Sequence, residues 1–172
     1  MPQKDVRAFA EEYERTRFPV HGILAAPPCD HFSVSGAQYW PAKDADGRTA
    51  EALEIVDACL EIVMDADPVW WALENPVGRL RALRGHVLSD LSGVGGGGPR
   101  LMFNPCDFGD PYTKKTLLWG KFNLPRLNPV EPLRVCEQGS WLQRLGGKSE
   151  KTKRLRSMTP PGFARAFCEA NP

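Results

Sequence analysis

Two short apolar runs, separated by a helical pattern, constrain the fold more than any other feature of this sequence. The first run covers residues 22–26 and ends at Pro27-Pro28, and the second covers residues 69–73 and ends at Glu74-Asn75-Pro76. Between them, apolar residues recur at helical spacing over residues 49–64. Strands that are apolar along their whole length are typical of buried parallel sheets. The pattern therefore predicts a strand–helix–strand unit with a right-handed crossover.

The ends of these two strands carry the residues best suited to chemistry. Cys29 follows the first strand and Glu74 follows the second, and functional groups in such sheets gather beyond the carboxyl ends of the strands. If the strands are neighbours, a thiol and a carboxyl group share one edge of the sheet. We take this juxtaposition as the most informative prediction from the sequence.

The rest of the chain is expected to be less regular. The expectations, in chain order, are a helix over Val6–Arg15, a mobile loop over 36–48, a helix over 77–91, a flexible glycine loop over Gly93–Gly98, strands at Leu101–Phe103 and Thr116–Trp119, a turn-rich stretch over 121–147, a basic stretch over 148–156 and a last helix over Pro161–Ala170.

Composition narrows the class of protein. A chain of 172 residues can bury one real core, and its net charge of +1 means that any DNA affinity must come from a local patch. The five cysteines are odd in number and never form a CxxC pair, which argues against a disulfide framework or a zinc site. The charged N-terminus and the lack of a long apolar run predict a cytoplasmic protein with no membrane partner.

Four segments, in order along the chain, resemble motifs of the DNA (cytosine-5) methyltransferases, especially phage-encoded members. Pro28–Gly36 (PCDHFSVSG) resembles the PCQxFSxxG loop, and Leu73–Val77 (LENPV) resembles the ENV motif. Gly109–Thr116 (GDPYTKKT) stands where the family carries GxPQxRxR, and Arg156–Pro160 (RSMTP) is similar to RxLTPRE. Each segment alone is a weak signal, but four in the family's order are a strong one.

The resemblance implies a covalent mechanism on a cytosine that has left the DNA duplex. Cys29 would attack the sixth carbon of the ring, because thiolates are strong nucleophiles near neutral pH. Glu74 would bond to the third ring nitrogen and the exocyclic amine, since a partly desolvated carboxyl group can carry a proton. Asn75 would hold the Pro27–Cys29 turn in place.

The resemblance also implies binding residues. Pro28 would pack against the methyl donor, S-adenosylmethionine, and Ser33 would contact a DNA phosphate. Lys114, with Lys115 or Thr116, would approximate the family's arginines. The chain departs from the family at Asp30, Pro76 and Tyr112–Lys114, where the family carries glutamine, valine and QxR. The last change puts base holding in doubt, because lysine cannot reproduce the bidentate fork of arginine.

The glycine-rich turn and ribose-binding acid of the family's donor site have no counterpart before Cys29, and its late GNxVxP segment is also absent. We therefore expect a partial Rossmann-like α/β domain with a truncated, mostly parallel sheet. The expected parts are a catalytic α/β region over 1–120, a short target-recognition-like region over 121–155 and a returning helix over 156–172. The expected partners are double-stranded DNA and a second polypeptide that carries the donor site, and an exposed sheet edge predicts association in isolation.

Several other interpretations stay open. The chain could be a non-catalytic DNA-binding remnant of a methyltransferase, and residues 144–156 could be a solvated basic face. An amino-methyltransferase is disfavoured, because Ala26–Cys29 lacks the acidic or amide start and the aromatic end of [DN]PPY. Cys106 also follows a proline, but it lacks the downstream FSxxG. His31 beside Cys29 could suggest a dyad or a metal site, although adjacent residues on an extended turn point apart.

Overall fold

The structure is a computed structural model that describes residues 19–137, 139–145 and 149–172. The helix predicted over Val6–Arg15 lies outside these residues. The strands are β1 (Gly22–Ala25), β2 (Trp70–Pro76), β3 (Leu101–Phe103) and β4 (Thr116–Lys121). The α-helices are α1 (Trp40–Ala45), α2 (Arg48–Ala66), α3 (Leu80–Ser92), α4 (Trp141–Arg144), α5 (Glu150–Ser157) and α6 (Pro161–Ala170). Short 3-10 helices cover Val34–Tyr39, Gly95–Gly97 and Pro105–Phe108.

The four strands form one small open sheet in the order β1–β2–β4–β3. β1 and β2 pair in parallel, with Gly22 opposite Trp70 and Ala25 opposite Leu73. The predicted strand–helix–strand unit and the α/β class are confirmed.

One detail of the sheet was predicted wrongly, because its pairings are mostly antiparallel rather than mostly parallel. Residues 104–115, which join β3 to β4, contain only a short 3-10 helix. Parallel neighbours are usually connected by a crossover α-helix, which this connection lacks. The apolar character of β4 marked it as a strand but could not fix its direction.

Contacts divide the described chain into two units. The first contains residues 19–100 and 117–122, and the second contains 101–116 together with the described residues from 123 to 172. The predicted parts 1–120, 121–155 and 156–172 follow the chain, whereas these units do not, because β4 returns to the first unit after residues 101–116 have left it.

The first unit is built on one apolar core. The helical pattern that predicted α2 is observed, since Ala52, Val56, Leu60 and Val63 are all buried along one face of the helix. Trp119 of β4 is fully buried in the same core, and so is Phe32, which lies between β1 and α1. Phe32 thus anchors the segment that follows Cys29.

The second unit has an aromatic core of its own. Phe163 of α6 stacks on Phe103 with ring centroids 4.2 Å apart, and Phe108 meets Phe163 edge to face at 5.4 Å. The first turn of α6 is held by Asp110, whose Oδ2 accepts a bond from the Gly162 amide at 2.8 Å. The predicted helix over Pro161–Ala170 is confirmed at both ends, and the proline at its first turn explains the sharp start.

The mobile loop expected over residues 36–48 is instead mostly helical. Ser33 caps the 3-10 helix Val34–Tyr39 through its side chain, and Pro41 occupies the first turn of α1, where a missing N–H costs nothing. Residues 150–157 of the basic stretch form α5, with Ser149 as its side-chain N-cap. Side-chain capping thus begins a helical segment in both places, and over residues 36–48 it replaces the expected loop.

The glycine run 93–98, expected to be a flexible loop, makes a close contact with α3 at Gly97. Gly97 is buried, has a left-handed φ of 68° and lies against the backbone of Gly85 in α3. A Cβ at position 97 would be 2.9 Å from the Gly85 carbonyl oxygen. The run is therefore a close helix–loop contact that only glycine allows.

We expect Gly97→Ala to lower the free energy of unfolding by about 1–3 kcal/mol, because it adds both backbone strain and overpacking. Gly95→Ala is the matched control, since its Cβ would meet nothing within 4 Å, and its φ is not left-handed. Urea denaturation of the two variants measures the difference. Equal midpoints would show that the glycine run does not pack on α3.

Candidate active site

Cys29 lies in a tight turn that begins four residues after β1. The Cys29 carbonyl oxygen accepts hydrogen bonds from the Phe32 amide at 3.0 Å and the Ser33 amide at 2.9 Å. The residue is exposed, whereas Phe32 is fully buried. Residues 29–33, here named the Cys29 loop, thus present the cysteine to solvent from an anchored backbone.

The Cys29 loop is joined by backbone bonds to the segment that follows β2. Ser33 and Gly78 form an antiparallel bridge, and the Arg79 amide donates to the Phe32 carbonyl oxygen at 2.9 Å. The Val34 amide donates to the Val77 carbonyl oxygen at 3.0 Å. A Cβ on Gly78 would overlap the Phe32 carbonyl, so only glycine permits this approach.

Glu74 and Asn75 occupy the last part of β2 rather than the residues after it, which corrects the predicted strand end at Leu73. Ala25 is paired with Leu73, and the two strands run in the same direction. The chain therefore leaves β1 toward Cys29 at the same end of the sheet at which Glu74 follows Leu73. Glu74 is half-buried. The structure therefore places the two predicted catalytic residues at the same edge of the sheet.

Asn75 is the most deeply buried of the predicted site residues. Its side chain is fully buried, and neither its amide nitrogen nor its oxygen has a hydrogen-bond partner among the described residues. The predicted role of Asn75 in holding the Pro27–Cys29 turn stays a prediction, and a side-chain hydrogen bond does not support it here. Burial of an unpaired amide is costly, which makes Asn75 a poor choice for stability alone.

Two cations that the sequence did not single out hold the Cys29 loop. Lys43 is buried, and its Nζ donates to the Asp30 carbonyl oxygen at 2.7 Å. Arg79 donates from Nε to the His31 carbonyl oxygen at 3.1 Å. No local pattern marks either residue, because Lys43 lies 13 residues and Arg79 48 residues from the carbonyl it binds.

The guanidinium of Arg79 is itself fixed on three sides. It donates to Asp44 Oδ2 and to Thr49 Oγ1, each at 2.8 Å, and it lies 4.7 Å above the centre of the Trp40 ring. The bonds from Arg79 and then from Thr49 lower the pKa of the Asp44 carboxyl below its ordinary value. The network thus favours the ionised form of Asp44. Its contribution to the stability of the fold is present above the ordinary aspartate pKa and is lost as the pH falls through the lowered pKa of Asp44.

The other predicted site residues have mixed surroundings. Ser33 is half-buried, and its hydroxyl is 2.9 Å from the Ser35 hydroxyl within the cap of the 3-10 helix. In the second unit, the half-buried Lys114 donates to the Met158 carbonyl oxygen at 3.4 Å, and Lys115 is exposed. Thr116 is 2% exposed and donates its hydroxyl to the Lys114 carbonyl. Thr116 is the first residue of β4, and its DNA contact stays a prediction at a buried position.

A binding site for the methyl donor would be expected at the end of the sheet that carries Cys29 and Glu74. Pro28 is half-buried beside Cys29, as a packing residue would be. The one glycine cluster among the described residues, 93–98, packs on α3 and forms no cradle between a strand and a helix. The described residues therefore do not fit S-adenosylmethionine by themselves.

The described part of the chain shows neither a cluster of metal-binding side chains nor a membrane-spanning helix. It contains no cluster of three or more histidine, cysteine or acidic side chains suited to a metal ion. None of its helices combines the length and the apolar character needed to cross a lipid bilayer.

Comparisons with known proteins were made for the sequence and for the fold. No protein-family model and no curated protein matches the sequence. One similar solved structure is described as a DNA modification methyltransferase encoded within a prophage of E. coli. The two chains share 16% identity with a TM-score of 0.43, and the match covers 75% of this chain but only 39% of that one. A likeness at this level carries no argument about activity.

Proposed function

We propose that this chain supplies the catalytic thiol for transfer of a methyl group to carbon 5 of cytosine in DNA. The observation that carries the proposal is the parallel pairing of β1 and β2, which brings the exposed Cys29 and the half-buried Glu74 to one edge of the sheet. A nucleophile and a proton donor at one edge are what addition to an aromatic ring requires. The motif order found in the sequence adds to this geometry.

In the proposed reaction, the Cys29 thiolate forms a bond to carbon 6 of an extruded cytosine. The Glu74 carboxyl group donates a proton to the third ring nitrogen, which takes up the electron pair displaced through the ring. Carbon 5 then carries electron density and becomes open to methylation. The anchored Cys29 loop holds the thiol in one place, which reduces the entropy lost on reaching the reactive geometry.

The proposal needs a methyl donor, which the family resemblance indicates to be S-adenosylmethionine. Because the described residues do not fit it by themselves, we propose that the donor site comes from a second polypeptide or from another segment. Pro28 is the residue of this chain that would border it. The thiol addition itself can be tested without any donor.

The test uses double-stranded DNA of mixed sequence in which 2-pyrimidinone replaces cytosine. This base lacks the exocyclic amine and is more electrophilic at carbon 6, so it accepts a thiol without methyl transfer. We expect the purified chain to form an adduct with this DNA that survives denaturing electrophoresis. Unmodified DNA is the control, and no adduct at any protein concentration that saturates DNA binding would refute the proposed chemistry.

The second candidate function is DNA binding without catalysis, and α5 favours it. This helix carries four basic residues, all exposed, against the single acid Glu150. A helix face of this charge can contact phosphates in either function. The adduct experiment separates the two, since a remnant would bind the modified DNA without forming a covalent bond.

We expect the double variant Lys151→Gln, Arg154→Gln to weaken DNA binding and to reduce the slope of log affinity against log salt by about 1–2, because each lost phosphate contact removes about 0.9 of slope. Arg126→Gln with Arg165→Gln is the matched control, since both residues are exposed in the same unit and the charge change is equal. Fluorescence anisotropy over a salt series measures the slopes. Equal slopes for the two double variants would mean that α5 is only a solvated face.

A further inference from the structure

The Cys29 loop is held by two cations that both donate hydrogen bonds to its backbone carbonyls. Lys43 binds the carbonyl of Asp30 and Arg79 binds the carbonyl of His31. Two consecutive peptide groups next to Cys29 are therefore each held by a side chain from outside the loop. Carbonyl contacts of this kind set the path of the backbone independently of the side chains in the loop. They determine where the cysteine stands.

We propose that Lys43 and Arg79 are positioning residues for the nucleophile and act together as a clamp on the Cys29 loop. This inference rests on the proposed function and deepens it. Neither residue is assigned a contact with DNA or with the reacting base. Each acts through the backbone of the loop.

The two ends of the clamp come from different elements. Lys43 is on α1, and Arg79 follows β2, where its own amide also binds the Phe32 carbonyl. Arg79 is further bound by Asp44 of α1 and by Thr49 of α2. The clamp therefore links the loop to the two helices and to the strand that carries Glu74. A fixed distance between the thiol and the carboxyl group depends on that linkage.

Burial indicates that Lys43 has a positional purpose. Its side chain is 10% exposed, whereas the Asp30 carboxylate, 3.4 Å from Nζ, is 70% exposed. An ammonium group loses much of its hydration on burial, and a solvated carboxylate at this distance repays little of the cost. A methionine of similar length would pack well and leave Asp30 in water. The bond from Lys43 to the Asp30 carbonyl is therefore the closer of its two contacts with the loop.

The experiment compares Lys43→Met and Arg79→Met with Arg84→Met. Arg84 is the matched control, because it makes a bidentate ion pair with Asp57 at 2.7 and 2.8 Å and joins α3 to α2 in the same unit without contacting the loop. Two quantities are measured for each variant. One is the rate of adduct formation with 2-pyrimidinone DNA at saturation, and the other is the DNA concentration that gives half of that rate.

We expect each clamp variant to lower the saturating rate by about 10- to 100-fold, since small misplacements of a reacting group have effects of this size. The half-saturating DNA concentration should change less than about twofold, and Arg84→Met should leave both quantities within about twofold. Lys43→Arg should restore most of the rate, because it returns a donor to the Asp30 carbonyl. Equal losses in the clamp variants and in Arg84→Met, or no loss in any of them, would overturn the inference.

Hydrogen exchange gives a readout that does not depend on catalysis. The amides of Phe32 and Ser33 close the turn on the Cys29 carbonyl, so their protection reports the shape of the loop. We expect their exchange to be at least about 10-fold faster in both clamp variants and unchanged in Arg84→Met. If the unmodified chain forms no adduct, the proposed function fails, but unchanged exchange in the clamp variants would separately refute the clamp.

Discussion

Cys29→Ala is expected to reduce adduct formation with 2-pyrimidinone DNA by at least about 10³-fold, to the level of the reaction without protein. The covalent bond in the proposed mechanism is made by this sulfur alone, and removal of a nucleophile leaves only the contributions of binding. Cys29 is exposed, so the substitution should change the free energy of unfolding by no more than about 0.5 kcal/mol. The loss can therefore be assigned to chemistry.

Cys168→Ala is the control for non-specific thiol addition, because Cys168 is also exposed but lies on α6 in the second unit. It should form the adduct at the rate of the unmodified chain. DNA binding of both variants, measured by anisotropy, should be unchanged. A Cys29→Ala protein that still forms the adduct would show that another cysteine reacts and that the proposed site is wrong.

Glu74→Gln is expected to lower the saturating rate of adduct formation by about 10²-fold or more, which is the usual contribution of a positioned general acid. Glutamine keeps the shape and the half-buried packing of Glu74 and can still donate a hydrogen bond, but it cannot transfer a proton to the ring nitrogen. The binding of DNA should change little. The loss thus reports the proton transfer and not the contact surface.

The control is Glu61→Gln, an equal change at an exposed position on α2. It should leave the rate within about twofold of the unmodified chain. If Glu74→Gln reacts within about threefold of the unmodified chain, the carboxyl group is not the acid. Cys29 would then act without the Glu74 carboxyl group, and the pairing of β1 with β2 would no longer support the proposed reaction.

The parts of the fold that the sequence predicted are those with strong periodicity or clear end signals. The helical repeat of Val56, Leu60 and Val63 predicted α2, and the apolar runs predicted β1 and β2, because burial along a whole face requires those patterns. Prolines also indicated two element ends. Pro161 marks the start of the last helix, and Pro27-Pro28 follow the end of the first strand. These elements are determined by residues close together in the sequence.

The parts that were predicted wrongly depend on contacts between distant residues. The glycine run 93–98 was expected to be flexible because its composition is, but Gly85 of α3 provides a surface that only a glycine can approach. The direction of β4 is set by its neighbours and not by its own residues. Residues 36–48 are the exception, because the cap at Ser33 that begins their helical part is a local contact.

The candidate site divides in the same way. Cys29 and Glu74 could be found from the sequence, because motifs and strand ends pointed to both. Lys43 and Arg79 could not, since each acts on a carbonyl far away in sequence, and carbonyls leave no trace in a residue pattern. Thr116 was chosen because it aligns with the last arginine of GxPQxRxR, and a motif does not show that the start of β4 buries this residue.

The central claim is that one sulfur, at the edge shared by β1 and β2, attacks the base. Peptide mapping of the trapped complex by mass spectrometry tests it most directly, because trypsin separates Cys29, on the peptide of residues 18–43, from every other cysteine of the chain. We predict that the pyrimidinone nucleotide is found on that peptide and bonded to the cysteine. The nucleotide on the peptide of Cys59, Cys106, Cys136 or Cys168 would contradict the account.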